Sequence, residues 1–253
     1  MQPVLKVQAL SKTFNLRAGL FKRKKFDVLK DISFCIGKGE TIAVIGETGA
    51  GKSTLAKLLA GAVQSDSGQI LLEGNIIEDK GVRDNQSRFI RMIFQDSGAS
   101  LNPGLTIGDI LDDCLQYNTD FTEQERSQKI NATLSKVGLL VDHQHYYPHM
   151  FSVGQLQRVA FARALILDPK VMVLDEAVSS LDPSIRAQIV NLLLKLQRET
   201  GITYVMITHH LSLVRHVSDQ VIVLDKGEVV EYGLTDEVFK NPKSKVTQRL
   251  LSS

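Results

Sequence analysis

The sequence predicts an α/β fold in which a parallel-sheet core is interrupted by a mostly helical lobe. Three observations carry that reading. A short β-branched run at 41–45 passes through the glycine-rich turn 46–51 into a segment at 52–59, where Leu55, Leu58 and Leu59 fall at helical spacing. A continuous apolar run, Val171-Met172-Val173-Leu174, has the character of a parallel strand covered on both faces. Between about residues 96 and 167, the periodic segments 107–117, 122–137 and 155–167 read as helices with no strong strand among them.

Taken in order, strands are expected at 4–9, 31–36, 41–45 and 70–72, where β-branched residues cluster. Thr122-x-x-Glu125 has the form of a capping box that opens the middle helix of the lobe. After Asp168-Pro169 the alternation resumes with the strand 171–174, a helix over 184–199 and a strand over 203–208. The runs 221–224 and 228–231, split by Asp225-Lys226-Gly227, predict a hairpin. The core is expected to comprise residues 1–95 and 168–253 and the lobe 96–167, within one domain of 253 residues.

Composition narrows the class without naming a function. The apolar fraction of 43% and charged fraction of 23% are ordinary for a globular chain. A net charge of +2 gives no ground for a nucleic-acid partner, which needs a clustered basic face. The one basic run, Lys22-Arg23-Lys24-Lys25, reads as a solvated loop, with a contact to lipid headgroups, nucleotide or a partner as the alternative. Cys35 and Cys114 form no CxxC pair, so neither a disulfide framework nor a metal site is expected, which fits a reducing compartment. His143, His145 and His149 read as part of a polar connecting loop. The start of the chain lacks the pattern of a secretion signal, and no apolar run approaches the roughly 20 residues that span a bilayer. Any membrane role is therefore expected to come through a partner.

Gly46-Glu47-Thr48-Gly49-Ala50-Gly51-Lys52-Ser53 matches GxxxxGK[ST] in full, between a predicted strand and a predicted helix that continues through Thr54. Glycines permit the torsions that turn successive N–H groups onto phosphate oxygens, and the helix adds its positive end. Lys52 supplies a point charge for the β- and γ-phosphates, and the Ser53 hydroxyl is placed to ligate Mg²⁺. At the end of the apolar strand, Asp175 and Glu176 stand where open α/β sheets bind ligands. Asp175 suits Mg²⁺ held through water, and Glu176 suits the orientation or deprotonation of an attacking water.

Phe151-Ser152-Val153-Gly154-Gln155, opening a helix just ahead of this acidic strand, resembles the signature segment of ABC ATPases. Other landmarks follow in the family's order. Gln95 resembles the Q-loop glutamine, Ser180-Leu181-Asp182 the D-loop and His209 the switch histidine, while Phe14 stands where an aromatic stacks on adenine. The resemblance covers essentially the whole chain. It implies a P-loop NTPase (RecA-like) core with an N-terminal antiparallel β-subdomain and an inserted α-helical subdomain. It further implies ATP and Mg²⁺ as ligands, with Ser53, Gln95 and Asp175 toward the metal, and Glu176, His209, Gln95 and Lys52 in hydrolysis. Two such domains would pair head to tail. Ser152, Gly154 and Gln155 would then act on the partner's nucleotide, with Asp182 also at the dimer's nucleotide sites.

Ser100-Leu101-Asn102-Pro103, Tyr147-Pro148-His149 and the insertion at 16–26 resemble the dipeptide and oligopeptide importer branch. With the altered signature, the chain is most similar to the F-type ATP-binding subunits of Sap antimicrobial-peptide transporters. That similarity implies a second, different ATPase subunit, two transmembrane permeases, indirectly a periplasmic solute-binding protein, and a place at the cytoplasmic face of the inner membrane. Val153 departs from the family's glycine and Met150 from an acid. A β-branched residue there restricts close backbone approach, so the partner's ATP site is expected to hydrolyse slowly. A soluble, non-transport ABC ATPase and a regulatory subunit with one degenerate ATP site are the alternative readings.

Overall fold

The computed structural model describes residues 2–17, 23–83, 89–94, 100–179 and 181–252. Its strands fall into two sheets. The antiparallel one runs β2 (Arg23–Ile36), β1 (Leu5–Arg17), β4 (Ser67–Leu72), β5 (Asn75–Asp79) and β6 (Val82–Arg83). The second has β11 (Glu228–Leu234) at one edge, followed by β10 (Gln220–Asp225), β3 (Thr41–Gly46), β9 (Thr203–Ile207), β8 (Val171–Asp175) and β7 (Ile90–Ile93). All its pairings are parallel except β10 with β11, the hairpin expected from the sequence.

Alternation along the parallel strands explains their unbroken apolar runs. Val171 and Val173 pack toward α1 (Lys52–Leu59) with Leu55, Leu58 and Leu59. Met172 and Leu174 pack instead with Ile189, Leu193 and Leu196 of α5 (Pro183–Thr200). A strand buried on both faces needs apolar residues at every position.

The helical lobe is built on capped starts. Thr106 with Asp109 opens α2 (Ile107–Gln116), Thr122 with Glu125 opens α3 (Glu123–Lys136), and Ser152 with Gln155 opens α4 (Val153–Leu165); each is a full capping box. Leu111, Leu115, Ile130, Leu134 and Phe161 fill the space between these helices, and their core is continuous with that of α5. His143 belongs to this packing: its ring lies 5.4 Å from Tyr146 and 5.3 Å from Phe151, and its Nδ1 accepts the Leu140 N–H.

Several elements differ from expectation. Arg23, Lys24 and Lys25 lie in β2, paired with Arg17, Leu16 and Asn15, so that part of the basic run is strand and not loop. Hairpin pairing to β1 supplies backbone partners that composition does not reveal. β5 and β6 were not foreseen, nor were the short helices α6 (Leu211–Val217), α7 (Thr235–Lys240) and α8 (Lys245–Ser252).

A buried ion pair ties the antiparallel sheet to α1. The Glu78 carboxylate, 1% exposed, accepts from Ser65 N and Oγ and from Arg83 Nη1 at 2.7 Å. Arg83 also donates to Leu58 O and Leu59 O, at the C-terminal end of α1 where carbonyls lack helical partners.

Candidate nucleotide site

The turn between β3 and α1 demands glycine at two positions. Gly46 has φ 151°, and a Cβ there would lie 2.2 Å from Leu224 O; Gly51 has φ 104°, and a Cβ would lie 2.8 Å from Val28 O. Both fail sterically and conformationally with any other residue. No side chain caps the first turn of α1, so its N–H groups and positive helix end remain available to an anion.

Lys52 Nζ donates to Gly46 O at 2.7 Å and Glu47 O at 2.9 Å. Burial draws its pKa below the ordinary lysine value, while Glu176 and Asp175 push the other way. Ser53 Oγ donates to Asp175 Oδ1 at 3.2 Å. Asp175, 8% exposed at the end of β8, has its pKa lifted by burial; the Ser53 bond opposes that lift and the Glu176 charge adds to it.

Glu176 follows with φ 52°, a left-handed conformation that costs a residue with a side chain about 1–3 kcal/mol. Its N–H is tied to Ile207 O at 3.0 Å. Its Oε1 lies 3.5 Å from Nδ1 of His209, just past β9. Lys52, Ser53, Asp175, Glu176 and His209 thus gather where β3, β8 and β9 end. In such sheets this edge is the ligand-binding edge.

The other candidate residues sit apart from that cluster. Ser152 Oγ accepts from Gln155 N at 3.4 Å and Gln155 Oε1 accepts from Ser152 N at 3.0 Å, so both are engaged in starting α4. Gly154 packs on α5, where a Cβ would come 3.1 Å from Ile185 Cγ2. Among the described residues, no hydrogen bond or ion pair joins these three to the phosphate loop. Asp182 Oδ1 caps α5 by accepting from Ser184 N and Ile185 N, each at 3.0 Å. Glu47 pairs with Arg249 of α8 at 3.0 Å, while Thr48 and Gly49 are exposed and Ala50 is buried. Thr54 lies within α1. Phe14 is partly exposed on β1, opposite Phe26, with Lys12 Nζ 5.5 Å from its ring centroid. Gln95 and Ser180 fall outside the described residues.

Three side chains near the site were not singled out by sequence reasoning. His210 Nε2 lies 3.5 Å from Ser179 O, and burial together with the neighbouring His209 holds its pKa below the ordinary histidine value. Gln157 and Arg186 contact the turn after Glu176. The one available signal was Gln157 itself, a polar residue on the buried face of an otherwise apolar helix stripe.

Comparison with known proteins points one way. Residues 29–179 match the family model described as ABC transporter. Two relatives called SapF, from Escherichia coli strain K12 and from Escherichia coli O6:H1, are each 47% identical over 252 residues, spanning 100% of this chain and 94% of theirs. The first is named a putrescine export system ATP-binding protein and the second a peptide transport system ATP-binding protein. A solved dimer of an ATP-binding cassette in a post-hydrolysis state, bound to ADP and Pi, superposes with a TM-score of 0.75 at 25% identity, covering 91% of this chain and 98% of that one.

Proposed function

The chain belongs to the ABC transporter family of ATP-binding subunits, and on that footing we propose that it powers a peptide transporter as one half of a head-to-tail nucleotide-sandwich dimer. ATP binding and hydrolysis are the family's activity. The observation that carries the proposal is the division of the site. The phosphate loop, acidic pair and His209 converge, while the start of α4 presents its donors elsewhere. Each half then needs a second cassette to complete it.

In this reading the loop N–H groups and Lys52 hold the triphosphate, and Phe14 stacks on adenine. The hydroxyl of Ser53 and carboxylate of Asp175 form a hard oxygen pair that fits Mg²⁺, with Gln95 as a further ligand. Held by these residues, the ion would neutralise negative charge on the phosphates. Glu176 accepts the proton of the attacking water, and His209, 3.5 Å away, contacts the γ-phosphate and keeps that water in line. Ser152, Gly154 and Gln155 close on the partner's nucleotide, beside the partner's D-loop.

Residues 96–167 act as the lobe that carries this signature, hinged on a core of 1–95 and 168–253. Among the described residues no helix is long and apolar enough to cross a membrane. A cavity of about 360 Å³ between core and lobe, bounded by Met92, Phe94, Cys114, Ala160 and Leu167, suits an inserted permease segment. The partners are a second, different ATPase subunit and two permeases, served by a periplasmic solute-binding protein, at the inner face of the inner membrane.

The relatives' names favour two cargoes, a peptide and the diamine putrescine; the importer-type motifs favour the peptide. Purifying the complex in detergent through this chain and reconstituting it tests the proposal. Permeases should co-purify and peptide should cross with ATP. ATP-driven putrescine movement alone would replace the cargo, and the absence of any permease would refute the transport role.

Val153, 66% exposed at the first residue of α4, gives a separate test. If its side chain holds the partner's phosphates off, Val153→Gly should raise turnover of the assembled transporter by about threefold, roughly 0.7 kcal/mol in the barrier. An unchanged steady-state rate would remove Val153 as the cause of a slow site.

A further inference from the structure

The backbone carbonyls of Ala177, Val178, Ser179 and Leu181 are held by side chains of two helices. From α5, Arg186 donates through Nε to Val178 O at 3.2 Å and through Nη2 to Leu181 O at 2.8 Å and Ser179 O at 3.4 Å. From α4, Gln157 Nε2 donates to Ala177 O at 2.7 Å. Gln157 is 5% exposed, and its neighbours in the helix, Val159, Ala160 and Phe161, are buried apolar residues. A buried amide is costly unless it is bonded. An apolar side chain would fill the same space without that requirement, so packing alone does not account for glutamine here.

The bond has two notable ends. One is the carbonyl of the residue that follows Glu176, whose left-handed backbone persists only if its surroundings hold it. The Ile207 carbonyl holds it from the β9 side, and the grip on Ala177 holds it from the α4 side. The other end is the helix whose first turn contains Ser152, Gly154 and Gln155, and Gly154 packs against Ile185, next to Arg186. The helix offered to one ATP is therefore bonded directly to the backbone that carries the hydrolytic carboxylate of the other.

We propose that Gln157 is a positioning residue through which the signature helix sets the place of Glu176, so that closure of α4 over one ATP is transmitted to the hydrolytic carboxylate of the second. This rests on the sandwich-dimer reading above. In this role Gln157 acts through the Ala177 carbonyl.

The test uses the assembled transporter. Gln157→Met keeps length and volume but has no donor. It should lower kcat about tenfold, the effect of one buried hydrogen bond, and leave KM for ATP within about twofold. In a Ser152→Ala background, where α4 no longer grips the partner's ATP, the same change should cost less than about twofold, because the two residues act in series. A tenfold loss in both backgrounds would overturn the transmission, and wild-type kcat in Gln157→Met would overturn the positioning role. If Gln157→Met does not assemble, Gln157→Glu serves. Burial raises the pKa of such a carboxyl above the ordinary carboxylate range, and it donates to Ala177 O only when protonated. Its hydrolysis should fall as pH rises from about 6 to about 9, unlike wild type, and a profile matching wild type would overturn the proposal. Glu176→Gln run alongside separates the two failures: if it still hydrolyses ATP, the site reading itself fails, whereas if only the Gln157 variants are silent, the fault lies with this inference.

Discussion

Glu176→Gln should bind ATP at least as tightly as wild type while hydrolysis in the assembled complex falls by about 10²- to 10⁴-fold. The amide has the carboxylate's shape and preserves the approach to His209 Nδ1 at 3.5 Å, so geometry is retained and only the proposed base is lost. Affinity should not drop, because the substitution removes a negative charge close to the triphosphate. Glu176 and Asp175 both act on Lys52, partly offsetting the burial that holds its pKa below the ordinary lysine value. Single-turnover hydrolysis with a separate nucleotide-binding titration distinguishes the two effects. A variant that turned over ATP at the wild-type rate would remove Glu176 as the base.

Arg83→Met should be the most destabilising single change outside the site, costing about 3–5 kcal/mol. It leaves the Glu78 carboxylate, 1% exposed, with only the Ser65 donors, and removes the Arg83 donors from Leu59 O and from Leu58 O, which keeps its bond from the Gly61 N–H. Those carbonyls end the helix that begins at Lys52, so the loss reaches the phosphate loop through α1. Replacing both partners with apolar residues, Arg83→Met with Glu78→Leu, should recover much of the loss, since no buried charge remains. Denaturant unfolding measures both. A loss below about 1 kcal/mol for the single variant would mean that water or a neighbour satisfies Glu78.

These two residues also show what the sequence could and could not reveal. Glu176 was legible because an unbroken apolar strand ending in Asp-Glu, with a complete phosphate loop upstream, has few other readings. The capping box at Thr122 was legible because its partners lie three residues apart and the interaction is local. Glu78 and Arg83 were not. β5 and β6 are five and two residues long, and their role depends on Ser65 and α1, which meet them only in the folded chain. The same holds for α8, a short polar helix whose Val246 and Leu250 find β3 and β10 by tertiary packing. Gln157 was visible as a polar residue in an apolar stripe, but the carbonyl it serves is 20 positions away. Local signals announce motifs, while the contacts that position them are long-range.

The central claim is that neither ATP site is complete within one chain. It is tested most directly by measuring ATP hydrolysis of the purified chain, alone and with the second ATPase subunit we propose for it, against concentration, with the dimer fraction followed by sedimentation. The account predicts a rate per chain that rises with the dimer fraction and vanishes as dimers dissociate. Full hydrolysis by a strictly monomeric chain, at a rate per chain independent of concentration, would contradict it.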